Sequence, residues 1–200
     1  INECKALAEK LDAPVCNGYQ HNDSFPGSHP LAVGPLGYNG SKAAMQLISK
    51  ADVVLALGTR LNPFSTLPGY GIDYWPKNAN IIQVDMNPDR IGLTKKVTVG
   101  IAGDAKQVAK QILDKLASNA GDSGREDRKN LIHQTKSAWL QTLTSLDHED
   151  DDPGTVWNKE ARERDKDRMS PRQAWRAIQA AMPEDAIISS DIGNNCAIGN

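Results

Sequence analysis

Two short apolar runs that break off at polar turns constrain the fold of this chain more than any other feature. They are Ala51-Asp-Val-Val-Leu-Ala-Leu-Gly-Thr-Arg60 and Asn80-Ile-Ile-Gln-Val-Asp-Met-Asn-Pro-Asp-Arg-Ile-Gly92. A strand that is apolar on both faces belongs in a sheet covered on both sides, as in a parallel sheet flanked by helices. The expectation is an α/β fold in which 53–58 and 81–85 are neighbouring or near-neighbouring parallel strands with helices on each side. The polar residues fall where the strands stop, at Gly58-Thr59-Arg60 and at Asp85. Open α/β sheets bind ligands at the carboxyl ends of their strands. The same pattern therefore marks where to look for chemistry.

The flanking segments alternate in the same sense. Residues 2–12 read as a helix with Leu7 and Leu11 on one face, followed by a short strand over 13–16. Gly18 to Gly40 carries five Gly and three Pro and fits neither period, so it reads as a long loop, a type that is often functional. Ser41 can cap a helix running to Ser49, with Ala44, Leu47 and Ile48 inward. Lys96 to Ala102 is a further strand. Asp104 and Gln107 then form a capping-box pattern that opens a helix striped by Val108, Ile112 and Leu116. Strand and helix in alternation define α/β with a parallel sheet. Few strands are visible, and we expect a further one to precede Ile1.

Composition shifts after Ala117. In 118–168, 21 of 51 residues are charged, against 27 of the other 149, and this reads as an interdomain linker. It carries a helix near 125–146, because Leu131, Thr135, Ala138, Trp139, Leu143 and Leu146 recur at helical spacing. The acidic run Glu149 to Asp152 reads as a solvated turn rather than a metal site. A second domain opens at Met169. Ser170-Pro171-Arg172-Gln173 joins a capping Ser, a Pro at the first helical position and a capping-box Gln. Ala174, Trp175, Ile178, Ala181 and Met182 are the expected buried stripe, and Pro183 the stop. A strand over 186–190 then leads into the loop Asp191-Ile-Gly-Asn-Asn195, which can turn backbone N–H groups toward an anion.

Composition also removes function classes. A net charge of -2 supplies no field for nucleic acid or an anionic membrane, and no apolar run approaches the ~20 residues of a membrane helix. Cys4, Cys16 and Cys196 are odd in number and lack a Cys-x-x-Cys, so reduced thiols of a cytoplasmic protein are expected. The four His residues have no metal-ligand spacing. The chain starts Ile1-Asn2-Glu3-Cys4, without an initiator Met or a signal-peptide pattern, and is read as part of a longer polypeptide.

Several spaced motifs resemble the thiamine diphosphate-dependent enzymes of the acetolactate synthase and pyruvate oxidase superfamily. The central-domain pattern is matched by Gly34-Pro-Leu-Gly37, Ala51 to Arg60, Ile82-Gln-Val-Asp-Met-Asn-Pro-Asp89 and Gly103-Asp104-Ala105. The carboxy-terminal pattern is matched by Ser170-Pro171 through Ser189-Ser-Asp-Ile-Gly193. The resemblance implies a Rossmann-like central domain over 1–117, a linker over 118–168, and the first helix and strand of a diphosphate-binding α/β domain over 169–200. Within the superfamily, Met169 to Asn200 resembles the branch acting on sulfoacetaldehyde. Acetolactate synthases usually carry Gly-Gln-His where this chain has Gly193-Asn194-Asn195.

That branch implies conversion of sulfoacetaldehyde and phosphate to acetyl phosphate and sulfite, with thiamine diphosphate and Mg2+ in an intact enzyme that is a homo-oligomer. An acetolactate synthase-like carboligase is the alternative. The resemblance places the cofactor-activating glutamate in an amino-terminal domain and the metal-binding Gly-Asp-Gly beyond Asn200. No catalytic residue is therefore assigned here, and the piece alone is expected to be inactive. Gly193, Asn194 and Asn195 are the expected cofactor-binding residues, beside the diphosphate. Gly58, Arg60 and Asp85 are candidates for a nucleotide, since relatives bind FAD or a nucleotide-bearing coenzyme in this domain. The plainer assignment makes Gly58 a tight turn, Arg60 an ion-pair partner and Asp85 a cap, in a central domain that serves as a spacer. Cys196 could be mistaken for a nucleophile, but the reaction requires none.

Overall fold

The computed structural model describes residues 1–116, 124–145, 169, 171–183, 185–189 and 193. Ile1–Ser137 form one compact unit and Ala138–Asn200 another.

The first unit holds two parallel sheets flanked by helices. β3 (Val53–Leu57), β4 (Asn80–Asp85) and β5 (Val99–Ala102) form one sheet in that order. β3 and β4 are parallel neighbours with Val54 opposite Ile81 and Ala56 opposite Gln83, as the two apolar runs require. β4 pairs parallel with β5, Gln83 opposite Gly100. β1 (Val15–Asn17) and β2 (Ala32–Pro35) make a separate parallel pair. β2 lies inside the segment expected to be loop. Its four residues include Gly34 at φ 88 and Pro35. Pairing with β1, rather than intrinsic propensity, makes it a strand.

α2 (Lys42–Ile48) begins as expected, the Ser41 hydroxyl accepting from Ala44 N at 3.2 Å. Five of its seven residues are buried, Met45 completely, so it is a core helix rather than an amphipathic one. It packs on β2, and together with Leu31, Val33, Leu36, Phe25 and Tyr74 it builds the larger core cluster. α3 (Ala105–Leu116) is capped by Asp104, whose Oδ1 accepts from Gln107 N at 2.9 Å. It packs on β4 and on α1 (Asn2–Leu11).

α4 (Arg125–Ser145) starts within the charged segment read as linker, yet its first half belongs to the core of the first unit. Ile132 is its buried residue, and the expected Leu131 is half-buried and packs against the same core cluster. Asp12 closes α1 in a left-handed conformation at φ 47. Around it, Arg125 Nε meets Asp12 Oδ2 at 2.6 Å, and Arg128 donates to the carbonyls of Leu11 and Asp12 at 2.9 and 3.1 Å. Cations there satisfy the last carbonyls of α1 and complement its dipole. Farther along, Lys136 Nζ donates to Pro30 O at 2.7 Å, and burial lowers the pKa of its ammonium.

In the second unit α5 (Pro171–Ala181) forms where the capping pattern places it; Ser170 itself, like Leu146, lies outside the described residues. The apolar stripe is present but not buried: Trp175 and Met182 are half-buried and Ile178 is exposed. A stripe is buried only where a second layer packs on it. The described contacts to α5 come from the last turn of α4, where Arg172 reaches Leu143 O at 3.4 Å. The strand expected over 186–190 is likewise absent at 186–189, with Ile187 98% exposed. A parallel strand has no local hydrogen-bond partner and forms only beside a neighbour reached by a crossover.

Tyr74 carries the one buried, unpartnered side-chain polar atom found among the described residues. Gly37 N–H lies near its hydroxyl without hydrogen-bond geometry, and burial pushes the phenol from 10.0 up to about 12. Burial likewise pushes the Cys16 thiol from 9.0 up to about 11. Both groups are held neutral by folding. The stability they contribute is present below about pH 9 and is lost as pH rises through 11 and 12. Tyr74→Phe removes an unpaired hydroxyl, so thermal melting at neutral pH should show unchanged stability or a gain of up to ~1 kcal/mol. It should also flatten the alkaline decline. A marked loss of stability at neutral pH would show that the hydroxyl has a partner.

Candidate functional site

The carboxyl ends of β3, β4 and β5 converge. Gly58 turns out of β3 at φ 64, a conformation that suits glycine, and its N–H donates to Val84 O at 2.8 Å. Asp85 is buried at the end of β4, where its Oδ1 accepts from Asn87 N at 2.9 Å. Gly103 N, leaving β5, donates to Asp85 O at 3.0 Å. Gly58 and Asp85 are thus on adjacent strand ends, in the roles of tight turn and turn cap. Arg60 is exposed and forms no ion pair among the described residues.

The residue that organises this edge is Gln83. It lies inside an apolar run with nothing around it in the sequence to single it out. Its side chain is 1% exposed. Nε2 donates to Thr59 O at 3.0 Å and to Arg90 O at 3.2 Å, while Oε1 accepts from Gly92 N at 2.8 Å. One amide therefore ties the loop after β3 to the loop after β4. Thr94 adds a second tie, its hydroxyl donating to Leu61 O at 2.7 Å. Leu61, at φ 53, packs with Ala56 and Ile81, and Ile91 lies so close to Gly100 that a side chain there would collide with it.

A second group of loops gathers beyond β1, β2 and β3. Tyr38 N donates to Phe64 O at 2.9 Å and Tyr19 N to Ser65 Oγ at 3.1 Å. A side chain at Gly37 would strike Phe64 O, so glycine is required there. The rings of Tyr19, Tyr38 and Phe64 contact one another at 5.9 to 6.2 Å between centroids. Sequence reading missed this cluster, because its members come from three loops with no shared period.

A shallow concavity of about 280 Å³ lies at the opposite edge, among Ser49, Lys50, Asp52, Pro76, Lys77 and Asn78. It touches none of the candidate residues. Among the described residues, no three His, Cys, Asp or Glu side chains converge as a metal site, and no helix is long and apolar enough to cross a membrane. Of the cofactor-binding candidates, Asn194 and Asn195 lie outside the described residues. Gly193 has φ 122, and a Cβ there would meet nothing within 4 Å. That open, glycine-only turn fits close approach of an anion to backbone.

Residues 1–112 match the family described as thiamine pyrophosphate enzyme, central domain, and the chain belongs to that family. The family implies thiamine diphosphate as cofactor. More particularly, the chain is 80% identical over 200 residues to a probable sulfoacetaldehyde acetyltransferase of Rhizobium meliloti, covering all of this chain and 34% of that protein. It is 77% identical over 194 residues to the sulfoacetaldehyde acetyltransferase of Roseovarius nubinhibens, covering 97% of this chain and 32% of that one. A probable acetolactate synthase large subunit of Methanocaldococcus jannaschii is 38% identical over 144 residues, covering 72% of this chain and 22% of that protein. The chain thus spans about a third of the length of its curated relatives.

Gln83→Leu keeps the volume but strips three backbone groups of their partner. We expect it to lower unfolding free energy by about 2–4 kcal/mol in urea titration. A change below ~0.5 kcal/mol would remove Gln83 from the centre of this edge.

Proposed function

We propose that this chain is the central domain and the opening of the diphosphate-binding domain of a sulfoacetaldehyde acetyltransferase. The intact enzyme then converts sulfoacetaldehyde and phosphate to acetyl phosphate and sulfite. The observation that carries the reading is the contrast in similarity. Five proteins named for that activity match 97–100% of the chain at 47–80% identity, while three acetolactate synthase large subunits match 59–72% of it at 33–38%.

Thiamine diphosphate, with Mg2+, supplies the carbanion chemistry when bound. The residues of this chain orient and hold. Gly193 lets backbone approach the diphosphate closely, and Asn194 and Asn195 donate side-chain amides without adding charge. The first unit is a spacer that fixes loop geometry. Its strand-end groups Gly58 N and Asp85 Oδ1 already serve the fold. The chain contains no Gly-Asp-Gly, and none of its residues is assigned to the metal.

A second reading, a nucleotide held at Gly58, Arg60 and Asp85, draws on the exposed guanidinium of Arg60, which forms no ion pair among the described residues. Titrating ADP and FAD into the 200-residue chain while following its melting temperature decides it; a saturable rise lost in Arg60→Ala favours the nucleotide. For the main reading, the 200-residue chain with sulfoacetaldehyde, phosphate, Mg2+ and thiamine diphosphate should form no acetyl phosphate, whereas the full-length enzyme should. In the full-length enzyme, Asn194→Ala or Asn195→Ala should weaken thiamine diphosphate binding about ten- to a hundredfold, the loss of a hydrogen bond to a charged group. Unchanged affinity in both variants would reduce the loop to a simple turn.

A further inference from the structure

We propose that Asn39-Gly40 is a site of spontaneous deamidation and isoaspartate formation, a covalent modification that the fold directs to this turn and withholds from the other Asn-Gly pair of the chain. The inference is independent of the activity proposed above. The sequence has two such pairs, Asn17-Gly18 and Asn39-Gly40. Glycine after asparagine leaves the next main-chain nitrogen unhindered, so local sequence puts both pairs on equal terms. The structure separates them. Asn17 is 7% exposed at the end of β1, and its Nδ2 donates to His21 O at 3.1 Å and to Ser24 Oγ at 2.8 Å. Its carbonyl accepts from Leu36 N at 2.9 Å, so both its backbone and its amide are held. Asn39 is exposed at φ 52, a left-handed conformation that asparagine tolerates. Its side-chain amide makes no hydrogen bond among the described residues.

The reaction needs only water and hydroxide. Hydroxide takes the proton of Gly40 N, and that nitrogen attacks Asn39 Cγ. The new C–N bond closes a succinimide ring while the Cγ–Nδ2 bond breaks. The departing nitrogen takes a proton from water and leaves as ammonia, which restores the hydroxide. Water then opens the ring at one of its two carbonyls. Opening at Cγ gives aspartate; opening at the main-chain carbon of residue 39 gives isoaspartate, in which the backbone runs through the former side chain. Gly40 is buried and its N–H donates to Gly37 O at 3.0 Å, so ring closure waits on local opening of this turn. Isoaspartate lengthens the backbone where there is no slack. A Cβ at Gly40 would already lie 2.6 Å from Pro35 O, and Ser41 N donates to that same carbonyl at 2.7 Å. Ser41 also caps α2, so the modification disturbs the start of the core helix.

Incubating the folded 200-residue chain at mildly alkaline pH, with peptide mapping by mass spectrometry, tests this. Aspartate and isoaspartate should accumulate at position 39 while Asn17 stays intact. In the urea-unfolded chain both pairs should convert at similar rates, and position 39 several-fold faster than in the folded chain. Conversion of Asn17 as fast as Asn39 in the folded chain, or no conversion of Asn39 there, would overturn the proposal. Asn39→Gly keeps the positive φ and removes the amide. The fresh variant should melt like the fresh wild type, and the peptide spanning residue 39 should no longer deamidate. Deamidation persisting in that peptide would place the reaction at another amide and overturn the assignment. Aged wild type should melt at a lower temperature than fresh wild type, and aged Asn39→Gly should not. Equal melting of fresh and fully converted wild type would overturn the effect on α2.

Discussion

A single buried amide in an otherwise aliphatic strand is the constraint on which the first unit depends. A polar side chain placed at the centre of a parallel sheet is tolerated only when its donors and acceptor are all satisfied. Gln83 meets that demand with Thr59, Arg90 and Gly92, which belong to two different loops. Those loops cannot move without leaving an amide unpaired at a site that water does not reach. The sheet's carboxyl edge is therefore fixed from within, by β4 itself.

This internal tie explains the division of labour along the edge. Gly58 N and Asp85 Oδ1 are committed to Val84 O and Asn87 N, and Leu61 is drawn down onto Ala56 and Ile81. What remains outward is Arg60 on one side and the ring cluster on the other, linked through the segment from Leu61 to Phe64. A domain built in this way holds neighbouring surfaces at a set geometry, as the spacer role proposed above requires. Helix α4 serves the same end differently. Its cations close α1 at Asp12, so a segment whose composition resembles a linker is anchored where it begins.

Much of the first unit was legible because its determinants are local. The apolar runs of β3 and β4, the Ser41 and Asp104 caps and the turn at Gly58 each follow from a few adjacent residues. β2 was not legible, since Ala32 to Pro35 contains two strand breakers and is a strand only through its pairing with β1. Leu131 and Thr135 of α4 are half-buried on the expected face, while the outright burial of Ile132 beside them was not legible, because on a helix polar on most sides burial is set by what it docks against. The strand over 186–189 failed for the same reason in reverse: its β-branched residues favour a sheet, but pairing is non-local. At the candidate site, the strand-end residues were found by position alone. Gln83 and the ring cluster were not, because buried polar satisfaction and contacts between loops leave no periodic trace.

Native-state hydrogen exchange at the Gly92 amide tests the central claim most directly. Gly92 sits exposed in an irregular loop, where an amide ordinarily exchanges through local fluctuation. If Gln83 fixes this edge, Gly92 N–H should exchange only as slowly as the β4 amides, and Gln83→Leu should release it while β3–β4 pairing persists. Rapid exchange of Gly92 in the unmodified chain, at the rate of a free loop, would contradict the account.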